Sequence, residues 1–387
     1  MIESPTNSIM ECIDTFSSRG PRSPGRDSTL FTRQTIKQTL EEIGYLVSEH
    51  KSFVPDWHLK EQPFIEILGS EIKRVSALPM ILSPSTSSSG DTGRVSTAQS
   101  IDVLDTYTWP RLAVLDEANN PIAYILSSER DLRVQPLPET AERKPHLIVE
   151  FSIFSDLLTR VNAGETVMVR ASIVTESRSD CEIISLITSA PSAEHSVLVC
   201  AHYDSTFNSP GALDNGSGLA VALSLTRLAK SRNWPCHFAF FDGEELNKAG
   251  SSAYVQSLCD ESIARISYVV EVDTVGAGKD IVFLCSKRIS KLLRRIDFTD
   301  LADAGFQVQI NPQSRISFSD VWPFMKKGVR VVRMLTRAPR GSGQGHEVIH
   351  SPKDTVDKVF PDTLKASFGA VARLLDHLCS HFGVTSN

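Results

Sequence analysis

Imidazoles and carboxylates follow the apolar runs of this sequence in a repeated way. After SVLVCA stands His202-Tyr203-Asp204. After CHFAFF stands Asp242-Gly243-Glu244-Glu245, and after ISYVVEV stands Asp273. The loop PGALDNGSG carries Asp214. The loop RGSGQGHEVIHSPKDT, beyond the apolar GVRVVRM, carries His346 and His350. Each feature alone is ordinary. A single His after a strand is usually a surface or core residue, a Glu pair usually opens a solvated helix, and an Asp in D-N-G usually marks a turn. Gathered at one place they suit a metal. Zinc takes imidazole and carboxylate ligands at about 2.0–2.2 Å. Two metals about 3.5–4 Å apart activate a water and polarise a carbonyl together. Such a pair needs a shared carboxylate among its ligands and a free carboxylate to move protons. The adjacent acids Glu244 and Glu245 can divide that labour, one facing the metal and the other the water.

The surrounding pattern supplies the scaffold. From about Cys181, short β-rich runs (CEIISLIT, SVLVCA, CHFAFF, ISYVVEVD, IVFLC, GVRVVRM) alternate with helical stretches such as SGLAVALSLTRLAK and AGSSAYVQSL. The last is TLKASFGAVARLLDHL, with an apolar stripe of Leu364, Phe368, Val371, Leu374 and Leu378. This alternation predicts an α/β fold, with a mixed, mostly parallel sheet sandwiched by helices. In such sheets the ligand site lies at the carboxyl ends of the strands. That is where the imidazoles and carboxylates stand.

The rest of the chain reads differently. Residues 1–30, rich in Ser, Pro, Gly and Arg, are expected to be a disordered tail. Ile36, Leu40, Ile43 and Val47 recur at helical spacing, which predicts a helix ending near Ser48 within a segment 31–55. Residues 56–175 hold short β-type runs (LPMIL, RLAVLD, IAYIL, HLIVEFSI, TVMVRASIV) and a Ser-rich loop, SPSTSSSGDTG, so an inserted, mostly β domain is expected there. Residues 176–387 form the α/β domain. The net charge of −6 argues against nucleic acid or an anionic membrane as partner. No run is long and apolar enough for a transmembrane anchor, and the first residues do not build a secretory signal. The seven cysteines are scattered and odd in number, which fits reduced thiols and a cytoplasmic protein.

The motifs AHYDS, PGALDNGSG, FDGEELNKAGSSAYV, VEVDTVG, SD followed by PF, and IHSPKDT occur in the order seen in the di-zinc aminopeptidases of the aminopeptidase Y and bacterial leucyl aminopeptidase type, which this half of the chain resembles. The resemblance implies a zinc-exopeptidase fold, two zinc ions per chain and a peptide substrate with a free N-terminus. It implies that Asp214 bridges the ions, that His202 and Asp273 complete one site, and that Glu245 and His350 complete the other. Glu244 would be the general base acting on a water between the zincs, and Asp204 would orient His202. Asp320 and Asp354 would stand behind the ligands, and His346 is left outside the set. LPMILSPSTSSSGDTGRV and PHLIVEFSIFSDLLTRVNAGETVMV look like the two ends of the protease-associated domain inserted in many of these enzymes.

Two departures from the family pattern stand out. Where SDH is common, this chain has Ser319-Asp320-Val321. Where members often carry a Tyr to steady the oxyanion, it has Ser314-Arg315-Ile316-Ser317-Phe318, so either Arg315 or a metal ion would take that part, or turnover on simple substrates would be low. The same metal core also serves carboxypeptidases and dipeptidases. A single-zinc glutaminyl cyclase-like acyltransferase and a non-catalytic binding member of the fold are the remaining alternatives.

Overall fold

The strand SVLVCAH is buried at every position, and its alternate residues enter two different cores. Val197, Val199 and Ala201 pack on one side, Leu198 and Cys200 on the other. A strand covered on both faces reads as a continuous apolar run, which is why no polar alternation marks it. A computed structural model describes residues 6–104, 107–127, 132–138, 140–176, 180–190 and 193–382. The chain divides into two compact units. One comprises Met1–Phe53 with Glu182–Asn387, the other Val54–Cys181.

The sheet of the first unit has eight strands: β1 (Val47–Val54), β2 (Cys181–Thr188), β3 (Ser196–His202), β4 (Cys236–Phe241), β5 (Ile266–Val272), β6 (Asp280–Ser286), β7 (Gln307–Gln313) and β8 (Arg330–Arg337), in the order β1-β2-β4-β3-β5-β8-β6-β7. The pairs β4–β3, β3–β5, β5–β8 and β6–β7 are parallel, and β2–β4 and β8–β6 are antiparallel. The fold is the mixed, mostly parallel α/β sheet that the alternation of elements predicts. The C-terminal helix Pro361–Ser380 buries Leu364, Phe368, Val371, Leu374 and Leu378 along one stripe. The helix Gly218–Ser231 starts so close to β5 that a Cβ on Gly218 would lie 2.2 Å from the Val272 carbonyl oxygen.

From Thr6 onward the N-terminal residues correct the expectation of a disordered tail over 1–30, whose first five residues lie outside the described ones. Thr6–Ser17 is a helix, and Ile9, Ile13 and Phe16 are wholly buried in the larger core. Their spacing of four and three residues makes one apolar stripe, and core burial outweighs the polar composition around it. A second helix, Asp27–Glu42, follows. It stops earlier than Ser48 because Gly44 takes the left-handed conformation (φ +87°). There the N–H of Gly44 donates to Glu41 O and the N–H of Tyr45 donates to Leu40 O, both at 2.9 Å. That pair of bonds closes a helix end around a glycine. Val47 then opens β1.

The second unit holds one eight-stranded sheet, antiparallel except where Pro121–Leu126 pairs with His146–Ile148. The run HLIVEFSI is strand only as far as Ile148. From Phe151 to Asn162 the chain is helical and buries Phe154 and Leu157 in that unit's core.

Candidate metal centre

His202 is the last residue of β3, so the strand's buried register carries its ring into the carboxyl edge of the sheet. Its Nδ1 lies 3.2 Å from Asp204 O and 3.4 Å from Asp204 Oδ1. This leaves Nε2 facing Asp214 Oδ1 at 3.3 Å and Asp273 Oδ1 at 3.8 Å. Asp273 directly follows β5. Thr274 Oγ1 donates to its Oδ1 at 2.8 Å, and Arg333 Nε of β8 donates to its Oδ2 at 3.1 Å.

Asp214 sits in the turn Ala212–Ser217, whose backbone is not helical at Asp214 and Asn215, and the Asp214–Asn215 peptide is cis. The turn is held from two directions. Asp354 accepts the N–H of Leu213 at 2.7 Å and of Asp214 at 3.1 Å. Asn215 Oδ1 accepts the N–H of Gly218 at 2.9 Å and of Thr274 at 3.1 Å, while its Nδ2 donates to Val272 O at 3.0 Å. Asp214 is thereby fixed with its second oxygen, Oδ2, 3.1 Å from His350 Nε2. His350 Nε2 also lies 3.3 Å from Glu245 Oε2.

Two groups result, His202–Asp214–Asp273 and Asp214–Glu245–His350, and Asp214 belongs to both. The ligand atoms in each lie within 4.8 Å of one another. Ligands at about 2.1 Å on a tetrahedral centre stand roughly 3.4 Å apart, and four of the contacts above are 3.1–3.8 Å. Glu245 Oε1 is buried with no hydrogen-bond partner among the described residues. Such an atom is costly unless it meets a cation or a donor.

The electrostatics also ask for positive charge. Burial opposes charge on His202, yet its hydrogen bonds to Asp204, Asp214 and Asp273 hold the imidazole well above its usual value. Burial would raise Asp214, but His202 and His350 bring it well below the ordinary carboxylate range. Burial raises Asp273 too, and Arg333 and His202 outweigh it, leaving it down at about 2. Glu245 has the opposite balance. Burial, with the charges of Asp214 and Glu244, pushes it well above the usual range despite His350.

Glu244 is partly exposed where Glu245 is buried. Burial raises its carboxyl above the ordinary value. Both glutamates follow Gly243, which turns the chain after β4 with φ +72°. Asp204 accepts their backbone N–H groups, Glu244 on Oδ1 and Glu245 on Oδ2, each at 3.1 Å. Asp204 thus touches His202 and both glutamates. Asp320 N donates to Glu271 Oε1 at 3.0 Å, and Ser319 Oγ donates to the same carboxylate. Burial, then the charges of Glu244 and Glu271, push the Asp320 carboxyl well above its usual range. His346 lies outside both groups. Arg315 is exposed, with its guanidinium over the Trp322 ring at 5.3 Å.

Glu271 lies inside VEVDTVG and Arg333 inside GVRVVRM, yet the sequence alone gives neither a role. Burial raises Glu271 to about 7 against the pull of Arg333, and Arg333 is the buried cation beside Asp273. Their signal is a charged residue inside an otherwise apolar run, VVEV and VVRM.

Comparison with known proteins gives the family. The chain is 44% identical over 175 residues to Aminopeptidase YwaD of Bacillus subtilis (strain 168). The match takes in 44% of this chain and spans 38% of that protein's length. Among solved structures, BSAP, a zinc aminopeptidase from Bacillus subtilis, superposes with a TM-score of 0.73 at 19% identity, covering 97% of this chain and 96% of its own. An aminopeptidase from Aneurinibacillus sp. strain AM-1 gives a TM-score of 0.71 at 19% identity, over 95% and 93%. The sequence model of Peptidase family M28 matches residues 183–375. That stretch contains every residue of the two groups, and through it the chain belongs to Peptidase family M28.

Proposed function

We propose that this protein is a zinc-dependent aminopeptidase that hydrolyses the N-terminal peptide bond of peptides with two zinc ions and Glu244 as general base. The observation that carries the reading is the division of Asp214: Oδ1 faces His202 and Oδ2 faces His350. A carboxylate shared in this way suits a pair of metals. His202, Asp214 and Asp273 would hold one ion, and Asp214, Glu245 and His350 the other. When bound, the two zincs would supply Lewis acidity, polarising the scissile carbonyl and making the attacking water more acidic.

The chain's own residues do the rest. Glu244 takes a proton from that water on its carboxylate and passes it to the departing amine, which suits a carboxyl that burial raises above its ordinary value. Asp204 fixes the His202 ring and both glutamate backbones, as groups behind metal ligands usually do. Arg333 keeps Asp273 ionised. The unit Val54–Cys181 is read as the protease-associated-type insert, supported by its position between β1 and β2 of the peptidase unit.

Metal analysis and a substrate panel test this reading. About two zincs per chain with hydrolysis of aminoacyl p-nitroanilides supports it. One zinc with pyroglutamate formation, or a folded protein inert on every amide, overturns it.

A further inference from the structure

Arg22, in the segment whose composition suggested a loose tail, is wholly buried against the loop that joins two of the metal-site residues. Its Nε donates to Tyr203 O at 2.7 Å, its Nη1 to Pro210 O at 2.6 Å and its Nη2 to Gly211 O at 2.9 Å. Its main chain is tied to the same loop. Arg22 N donates to Ser205 Oγ at 2.9 Å, Ser205 N donates to Arg22 O at 3.3 Å, and Ser205 Oγ donates on to Ser209 O at 3.0 Å. Tyr203 directly follows His202, and Gly211 precedes Asp214 by three residues.

The loop closes tightly on the guanidinium. Gly211 has φ +65°, and a Cβ there would lie 2.6 Å from Ser205 Cβ and 2.9 Å from Arg22 Nη2. The planar fork of an arginine offers donors spread over three nitrogens in one rigid plane, whereas an ammonium gathers its three donors on a single atom. Because these bonds go to carbonyls, the charge remains to act on Asp354, Asp204, Asp214 and Glu245.

We propose that Arg22 is a positioning residue of the metal centre: by gathering the Tyr203, Pro210 and Gly211 carbonyls on one guanidinium, it fixes His202 and Asp214 for metal binding. The inference rests on the zinc reading above, and it makes the N-terminal segment part of the centre.

The test uses the full-length chain with Arg22→Met, Arg22→Lys and Ser205→Ala. Zinc affinity is read by competition with a chromogenic chelator, and Tm is read for the zinc-free and zinc-loaded forms. Arg22→Met is expected to weaken zinc binding about 10-fold or more, the usual effect of losing a group behind the ligands, and to narrow the Tm gap between the two forms. Arg22→Lys, which keeps the charge without the fork, is expected to recover part of the affinity. Equal Tm losses in both forms with wild-type zinc affinity would overturn the proposal and leave Arg22 an ordinary core anchor. Should Arg22→Met fail to fold, unchanged affinity in both Arg22→Lys and Ser205→Ala overturns it equally. Wild-type protein that takes up no zinc would overturn the functional reading itself. Wild type with two zincs and unaffected variants overturns this inference alone.

Discussion

The carboxylate of Asp204 receives the main-chain N–H of Glu245 at 3.1 Å, so a residue just beyond β3 fixes the backbone of one just beyond β4. The same carboxylate takes the N–H of Glu244 and stands beside the His202 ring. Asp204→Asn keeps the shape but turns one acceptor into a donor that faces an N–H. Charge-assisted bonds of this kind contribute about 1.5–3 kcal/mol. The expected result is a zinc affinity weaker by about 10–100-fold, read by chelator competition. Unchanged affinity would relieve Asp204 of this role.

Glu244 and Glu245 should separate cleanly under mutation. Glu244→Gln is expected to lower kcat by about 10²–10⁴-fold while zinc content stays at the wild-type value. Glu245→Gln is expected to lose zinc. Metal analysis beside turnover on an aminoacyl amide checks both. Retained turnover in Glu244→Gln would assign proton transfer elsewhere.

Arg333→Met leaves Asp273 buried without the guanidinium that donates to its Oδ2. Breaking a buried pair by removing one partner costs about 3–5 kcal/mol, so the urea midpoint should fall markedly. The Asp273 carboxyl, held down at about 2 in the intact protein, should rise. An unaltered midpoint would show that Asp273 finds another partner.

Acid should weaken both units through buried imidazoles. Burial lowers His237, on β4, to about 4 and also lowers His146, in the second unit, to about 4. The unfolded chain binds these protons near pH 6.5 and the folded chain only near 4. Stability is therefore complete above the unfolded value and falls as pH drops from about 6.5 to 4, by up to roughly 3 kcal/mol per group. Urea midpoints measured across that window should flatten in His237→Gln and His146→Gln. Wild-type slopes in both variants would place the acid sensitivity on other groups.

Ile13→Ala should cost about 2–5 kcal/mol, the usual effect of emptying a packed site. Ile13 is wholly buried in the larger core. An unchanged melting curve would mean that the first helix is dispensable.

The sheet and its edge were legible because buried parallel strands print as apolar runs, with the chemistry at their ends. His202, Glu244, Glu245 and Asp273 all stand just there. The Thr6–Ser17 helix was hidden by its Ser- and Pro-rich neighbourhood, although Ile9, Ile13 and Phe16 carried a helical stripe. The end of the second helix turned on one glycine, Gly44, whose backbone conformation periodicity does not register. Arg333 and Glu271 were obscured because a charge inside an apolar strand is explained only by its neighbour on the next strand. Arg22 had no periodic signal, since its partners are carbonyls of residues far along the chain.

The peptidase unit is assembled from Met1–Phe53 and Glu182–Asn387, on either side of the contiguous unit Val54–Cys181. During synthesis, which proceeds at about 5–20 residues per second, the strands of the β unit are all available before β2 emerges. The first helix and Arg22, made earliest, meet their partners only after that whole unit has been made. All residues of the β unit are therefore in the chain before any residue of the candidate metal centre. Until the residues from Glu182 onward are made, the N-terminal segment lacks its partners and the candidate metal centre lacks every one of its residues.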